Sequence, residues 1–339
     1  MSIRATRELR RLRRHSSLFI ESRRAGRSAA SIAAARSKQP VVVGPWLAEI
    51  GFELLYWIPF VRHIASHRAL DPARVVVVSR GGVAGWYGDL AAGYLDLFDL
   101  FEPDRLADLQ ARRLAEAGGQ KPLTVTRAER EMHACIEERL GTRATCLHPS
   151  LLFQRFRPVW RHRESPRKAC RQLEFQRPLV QAMAEPERPY VAVKTYFSSA
   201  FPDTEPNREA VRSTLLHLAS QGDVVTLETG LTFDDHDDLP IPDHPAIRPG
   251  LAGVPPTENL AMQTALIANS RMFVGTYGGP SYLAPLLGVP AIGLFSEANF
   301  ATVHLDVLRH GLAQLGAAAS TGVSLVDVAH LEAFWALTR

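Results

Sequence analysis

Short apolar runs closed by glycine, proline or a polar residue recur along the chain. They alternate with longer segments in which apolar positions return every three or four residues. The first pattern reads as buried strand and the second as amphipathic helix. Strands are expected at 40–44, 74–79, 122–125 and 144–148, then at 190–194, 223–227, 271–274 and 291–295. Helices are expected over 53–67, 103–117 and 127–139, then over 207–220, 257–269, 280–287 and 325–337. In the first helix Leu54, Leu55, Ile58, Val61, Ile64 and Ala65 share a face. Pro59 lacks the N–H a helix interior needs, so a kink or break near Ile58 is expected.

Strands alternating with helices argue for parallel sheets, in an α/β chain long enough at 339 residues for two domains. The segment 152–188 breaks the pattern with Pro158, Pro166, Pro178 and Pro186, and reads as an interdomain region containing some helix. The expected division is a basic tail over 1–39, one α/β half over 40–186 and a second over 187–339. No run of about 18 apolar residues occurs, so no transmembrane helix is expected.

Charge sharpens this division. The chain has a net charge of +4, but residues 1–39 hold 11 basic and 2 acidic side chains. The remaining 28 basic and 33 acidic residues make the body mildly acidic, so nucleic-acid binding by the whole protein is not expected. The tail, with Arg10-Arg11-Leu12-Arg13-Arg14 and Arg23-Arg24 around Leu18-Phe19-Ile20, reads as a disordered solvated segment or as a basic helix on an anionic membrane. It also has the arginine- and serine-rich character of a transit peptide. Cys135, Cys146 and Cys170 show no metal-ligand spacing and fit a reducing cytoplasm.

The densest chemical signal lies at Gly275-Thr276-Tyr277-Gly278-Gly279-Pro280-Ser281, between a buried strand and a short helix. Glycines allow close backbone approach, and a helix start offers unpaired N–H groups to an anion. Gly275, Thr276, Gly278, Gly279 and Ser281 can supply N–H and hydroxyl donors to phosphate, or form a tight turn with no ligand. Lys194 ends a strand and would face the same crevice; Arg208, at the next helix start, is a second candidate cation. Glu297 and Asn299 follow a strand where they can hold sugar or ribose hydroxyls, or cap the next helix. Asp234-Asp235-His236-Asp237-Asp238 reads as a solvated loop rather than a cation site.

The block from Glu258-Asn259-Leu260 through the glycine turn to Gly288-Val289-Pro290 resembles the donor site of heptosyltransferase-like bacterial polysaccharide glycosyltransferases. The likeness covers about 40 residues, and the chain departs from the pattern at Tyr277 and Ser281. The resemblance implies the GT-B fold, two Rossmann-like domains facing across a cleft. It implies a nucleotide-sugar donor held on residues 275–281 with Tyr277 in the turn, a glycan or lipid-linked acceptor, and no essential metal or other cofactor. It also implies an acidic base from the first half. The aromatic segment after the first strand holds Glu49 and Glu53, four residues apart. On one helix face, like charges would raise one pKa toward that of a general base. The other reading has Glu49 capping the helix and Glu53 paired with Arg62 or another base. The expected function is sugar transfer in surface polysaccharide synthesis, with the tail holding a cytoplasmic enzyme at the inner membrane face. The rivals are a nucleotide-sugar epimerase and a non-catalytic nucleotide-sugar-binding protein.

Overall fold

The computed structural model describes residues 3–35, 38–198, 200–228, 241–298, 302–318 and 321–337, with the backbone alone for 3–16. Two parallel sheets organise it. The first runs β3-β2-β1-β4, from β1 (Val41–Val43), β2 (Val75–Ser79), β3 (Gly93–Asp96) and β4 (Thr145–Leu147). The second runs β10-β9-β8-β5-β6-β7. Its strands are β5 (Tyr190–Lys194), β6 (Asp223–Thr226), β7 (Ile247–Pro249), β8 (Met272–Thr276), β9 (Ala291–Phe295) and β10 (Val323–Asp327). Strands covered on both faces need apolar side chains throughout, and β1, β5 and most of β8 are buried along their length.

Each sheet reverses its winding once. The first proceeds from β1 outward to β3, then returns to place β4 on the other side of β1. The second proceeds from β5 to β7, then places β8 on the other side of β5. Such switch points open a crevice at the carboxyl ends of the two central strands.

The first helical segment departs from a simple kink. Ile50–Phe52 is α-helical, Glu53–Trp57 is a π-helical turn, and Ile58–Arg68 is α-helical again. Pro59 falls in the first turn of the last piece, where its missing N–H is tolerated. The wide turn buries Glu53, Leu54, Leu55, Tyr56 and Trp57 together.

Three strands lack a clear sequence signal: β3, β7 and β10 are edge or near-edge strands, largely half-buried or exposed. The expected strand at 122–125 does not form; Leu123 packs beside the core and Thr126 instead caps the helix Arg127–Leu140. The expected helix at 325–337 begins as β10, passes through a 3-10 turn at Val328–His330 and is α-helical from Leu331 to Leu337.

The basic tail also differs from a disordered segment. Ile3–Ala34 is helical. Ser22, Ala25, Ala29 and Ala33 recur at helical spacing on its buried face, and their small side chains let it lie close against the helix Ser150–Trp160. Ser22 Oγ donates to the Arg155 carbonyl at 2.8 Å and accepts from the Arg155 guanidinium at 2.9 Å. Among the described residues no helix is long and apolar enough to cross a membrane.

Candidate active site between the two sheets

The carboxyl edges of the sheets face each other. The segment after β1 meets the turn after β8: a Cβ on Gly51 would stand 3.2 Å from the Tyr282 ring and 3.3 Å from Gly279 Cα. A Cβ on Gly279 would run into Ile50. The loop after β2 meets the first turn of the helix Asn259–Ala268 and the residues just before it. There the Ala261 N–H donates to the Gly81 carbonyl at 2.8 Å, and a Cβ on Gly82 would stand 2.7 Å from the Thr257 carbonyl oxygen. Trp86 Nε1 donates to Thr264 Oγ1 at 2.9 Å. Gly81 and Gly82 both have φ above +70°, which favours glycine, so this loop joins the halves.

A mixed aromatic cluster closes one flank. Phe52 and Tyr56, packed against Trp160 in the first half, meet His304 from the helix Val303–Gln314. The Tyr56 hydroxyl is 2.8 Å from His304 Nδ1. Burial, and then the nearby Lys121 charge, pulls the His304 pKa down to about 4, so the ring is neutral at neutral pH.

In the second sheet β5 and β8 are hydrogen-bonded neighbours, with Lys194 level with Gly275. The structure therefore brings Lys194 and the glycine turn to one switch point. Lys194 is 9% exposed. Thr195, which follows it, was not singled out from sequence. Its side chain is 1% exposed, and Thr195 Oγ1 has no hydrogen-bond partner among the described residues. Buried polar groups are nearly always partnered, so this orphan hydroxyl stands out at the strand end.

The turn itself is more self-contained than its sequence implies. Thr276 and Ser281 are fully buried. Thr276 Oγ1 accepts from the Tyr196 N–H at 3.2 Å, and Ser281 Oγ donates to the Thr276 carbonyl at 3.3 Å. Both hydroxyls thus take part in hydrogen bonds that brace the turn. Tyr277 is likewise buried, edge-on to Tyr282. Each glycine has a protein neighbour where its side chain would be: the Lys194 carbonyl for Gly275, the Tyr196 hydroxyl for Gly278 and Ile50 for Gly279. Crowding by protein thus accounts for the glycines without a ligand.

Arg208 is drawn outward. It forms a bidentate pair with Asp203, at 2.7 and 2.6 Å, on an exposed face and lies 4.9 Å from the Phe197 ring centre. Glu297 is exposed, with its N–H donating to the Ala200 carbonyl at 3.1 Å. Asn299 and Asp234–Asp238 lie outside the described residues.

The structure separates the two carboxylates of the first half. Glu53 is fully buried, and its Oε1 accepts from Ser79 Oγ and from the Tyr87 hydroxyl, each at 2.7 Å. Its Oε2 has no hydrogen-bond partner among the described residues. Burial raises its pKa to about 7, against the lowering effects of Arg80, Ser79 and Tyr87. The expected cause, repulsion by Glu49, is not among these; Asp96 supplies the smaller like-charge effect. Arg62 pairs with Asp89 instead of Glu53. Glu49 is half-buried, at the position before the helix Ile50–Phe52, and its side chain makes no capping hydrogen bond. It adjoins Ile50, the residue that touches Gly279.

Arg80 fixes this loop, a role the sequence did not disclose. It is 5% exposed and donates to the Trp46 carbonyl at 3.2 Å and the Ala48 carbonyl at 3.0 Å. Asp96, at the end of β3, accepts from the Gly82 N–H and the Tyr94 hydroxyl, both at 2.8 Å. At the end of β4, His148 Nε2 is 3.3 Å from Glu129 Oε1.

No protein-family model matches the chain, and a comparison with curated proteins found no match. Comparison with solved structures found distant likenesses in fold. The chain is similar to the E. coli ADP-heptose LPS heptosyltransferase II at 12% identity, over 88% of this chain and 99% of that one, with a TM-score of 0.45. It is similar to a glycosyl transferase family 9 protein of Veillonella parvula at 10% identity, over 89% and 90% of the two chains, with a TM-score of 0.43. E. coli heptosyltransferase WaaC with ADP is 12% identical over 89% of this chain and 100% of that one, with a TM-score of 0.41.

Proposed function

We propose that this chain is a glycosyltransferase that moves a sugar from a nucleotide-sugar donor to a hydroxyl of a glycan or lipid-linked saccharide. The observation that carries the reading is the second sheet's switch point. There a largely buried lysine, an orphan threonine hydroxyl and a helix-leading glycine turn converge, and an acidic segment of the opposite half abuts them.

In this reading the donor diphosphate lies at Lys194 and Thr195, beside the start of the helix Gly279–Leu287. The ammonium offsets the charge that grows on the diphosphate as the bond from its oxygen to the anomeric carbon breaks. The acceptor oxygen forms the new bond to that carbon and gives up its proton to a carboxylate. Glu49 is assigned this role because it is partly exposed beside Ile50. Glu53, enclosed by Ser79 and Tyr87, is assigned to holding the first-half segment in place. The helix Ile3–Ala34 is proposed to bring the cytoplasmic enzyme to anionic membranes bearing its acceptor, with the six arginines of residues 1–16 leading.

The test is a thermal-shift and calorimetric screen of the chain against nucleoside diphosphates and nucleotide sugars. Binding raises the unfolding midpoint by mass action. The reading expects binding that Lys194→Ala and Thr195→Val weaken, and transfer to an added saccharide that Glu49→Gln slows by roughly 10²–10⁴-fold. A sugar altered without any acceptor would favour an epimerase; binding without turnover would favour a non-catalytic binder. Absence of nucleotide binding would end the proposal. Removing residues 1–16 should weaken binding to anionic vesicles; undiminished binding rules out that segment as the anchor.

A further inference from the structure

A second group of chemically competent side chains lies outside the crevice. His63 and His67 stand one turn apart on the helix Ile58–Arg68, and Glu174 approaches from the segment that leads to the second half. One ligating atom of each lies within 4.8 Å of the others. We infer that His63, His67 and Glu174 form a binding site for a divalent transition-metal ion of the zinc, cobalt or nickel type.

The supporting hydrogen bonds fit that assignment. His67 Nδ1 is 2.9 Å from the His63 carbonyl oxygen. A carbonyl only accepts, so Nδ1 carries the proton and Nε2 keeps the lone pair a metal needs. Ser66 Oγ donates to Glu174 Oε2 at 2.6 Å, which fixes the carboxylate and leaves its other oxygen for the ion. Glu174 is also held by its backbone, whose N–H donates to the Pro59 carbonyl at 3.0 Å. On either side, the Leu173 carbonyl and the Phe175 N–H bond to the Gln314 side chain at 3.0 and 2.9 Å. The His63 and His67 ring centres are 4.0 Å apart.

Bonds of about 2.0–2.2 Å to nitrogen and oxygen place tetrahedral ligands about 3.4 Å apart, so small side-chain rotations would close the site. Two imidazoles and one carboxylate leave a fourth position open. His63 and His67 also line a cavity of about 480 Å³ that gives an ion a way in. Arg23, Arg27, Arg68 and Lys168 line the same cavity. Two imidazole donors select against magnesium and calcium, which bind through oxygens, while the basic side chains favour an anion in the open position. The bound ion would tie the interdomain segment to the first half's helix.

The test titrates zinc chloride and cobalt chloride into the metal-free full chain by calorimetry, with cobalt absorption as a second readout. One site is expected, with imidazole–carboxylate cobalt bands. His63→Ala, His67→Ala and Glu174→Ala should each lower the affinity more than tenfold. Ser66→Ala, which removes only the support to the carboxylate, should lower it about tenfold. His330→Ala, in the 3-10 turn Val328–His330, should leave it unchanged. No binding at millimolar metal, or equal binding by the His63→Ala/His67→Ala double variant with an unchanged circular dichroism spectrum, overturns the assignment. Nucleotide binding takes no part in this readout, so its outcome is separate from that of the proposed sugar transfer.

Discussion

Replacing Glu53 by glutamine should change how stability depends on pH. The carboxyl is fully buried, and burial raises its pKa from 4.5 to about 7. The unfolded chain therefore releases this proton first as pH rises. The stabilisation held below the unfolded pKa is lost as pH climbs through the folded one. A shift of about 2.5 units corresponds to about 3 kcal/mol, gone by roughly pH 8. The wild-type curve alone conceals this, because His304 works in the opposite sense. Its pKa is lowered from 6.5 to about 4, so its contribution is present at high pH and lost as pH falls across that interval. The difference between the two proteins cancels His304. Denaturant unfolding of wild type and Glu53→Gln should be followed between about pH 4.5 and pH 8. Whatever fixed penalty the buried amide brings, the variant should gain about 3 kcal/mol relative to wild type across that range. A difference that does not vary with pH would show that Glu53 titrates normally, and would remove the case for a neutral, enclosed carboxyl behind the loop.

Gly279→Val should force the two halves apart, because its side chain meets Ile50 and the Gly51 amide. A loss of about 1–3 kcal/mol and a larger radius of gyration in X-ray scattering are expected; an unchanged radius would contradict the close contact. Tyr56→Phe leaves His304 Nδ1 buried without its 2.8 Å partner and should cost about 1–3 kcal/mol in denaturant unfolding, whereas a neutral result would dismiss that bond. Arg208→Ala breaks only an exposed pair with Asp203, so it should cost less than about 1 kcal/mol and spare nucleoside-diphosphate affinity. A tenfold weaker affinity would return Arg208 to the site.

The α/β alternation was legible because central strands such as Val41–Val43 and Tyr190–Lys194 must be apolar on both faces. Edge strands obey no such demand. Ile247–Pro249 is half-buried or exposed along its length and owes its conformation to β6 beside it, a partner far away in sequence. The tail misled for a related reason. Its eleven basic residues drew attention to charge, yet Ser22, Ala25, Ala29 and Ala33 decide where the helix packs.

Lys194 and the turn after β8 could be placed together from sequence, since both end strands of one parallel sheet. What sequence could not supply was which neighbour each glycine admits. A missing Cβ permits close approach by any group, and local sequence does not distinguish a phosphate from another part of the chain. Here Gly278 admits the Tyr196 hydroxyl and Gly279 admits Ile50. The same limit applied to Glu49 and Glu53. Four residues on a regular helix would align them, but the π-helical turn begins at Glu53 and sends that carboxyl to Ser79 and Tyr87, while Glu49 remains beside the opposite turn. Of the two, only Glu49 is partly exposed, which is why it, and not Glu53, is proposed as the base.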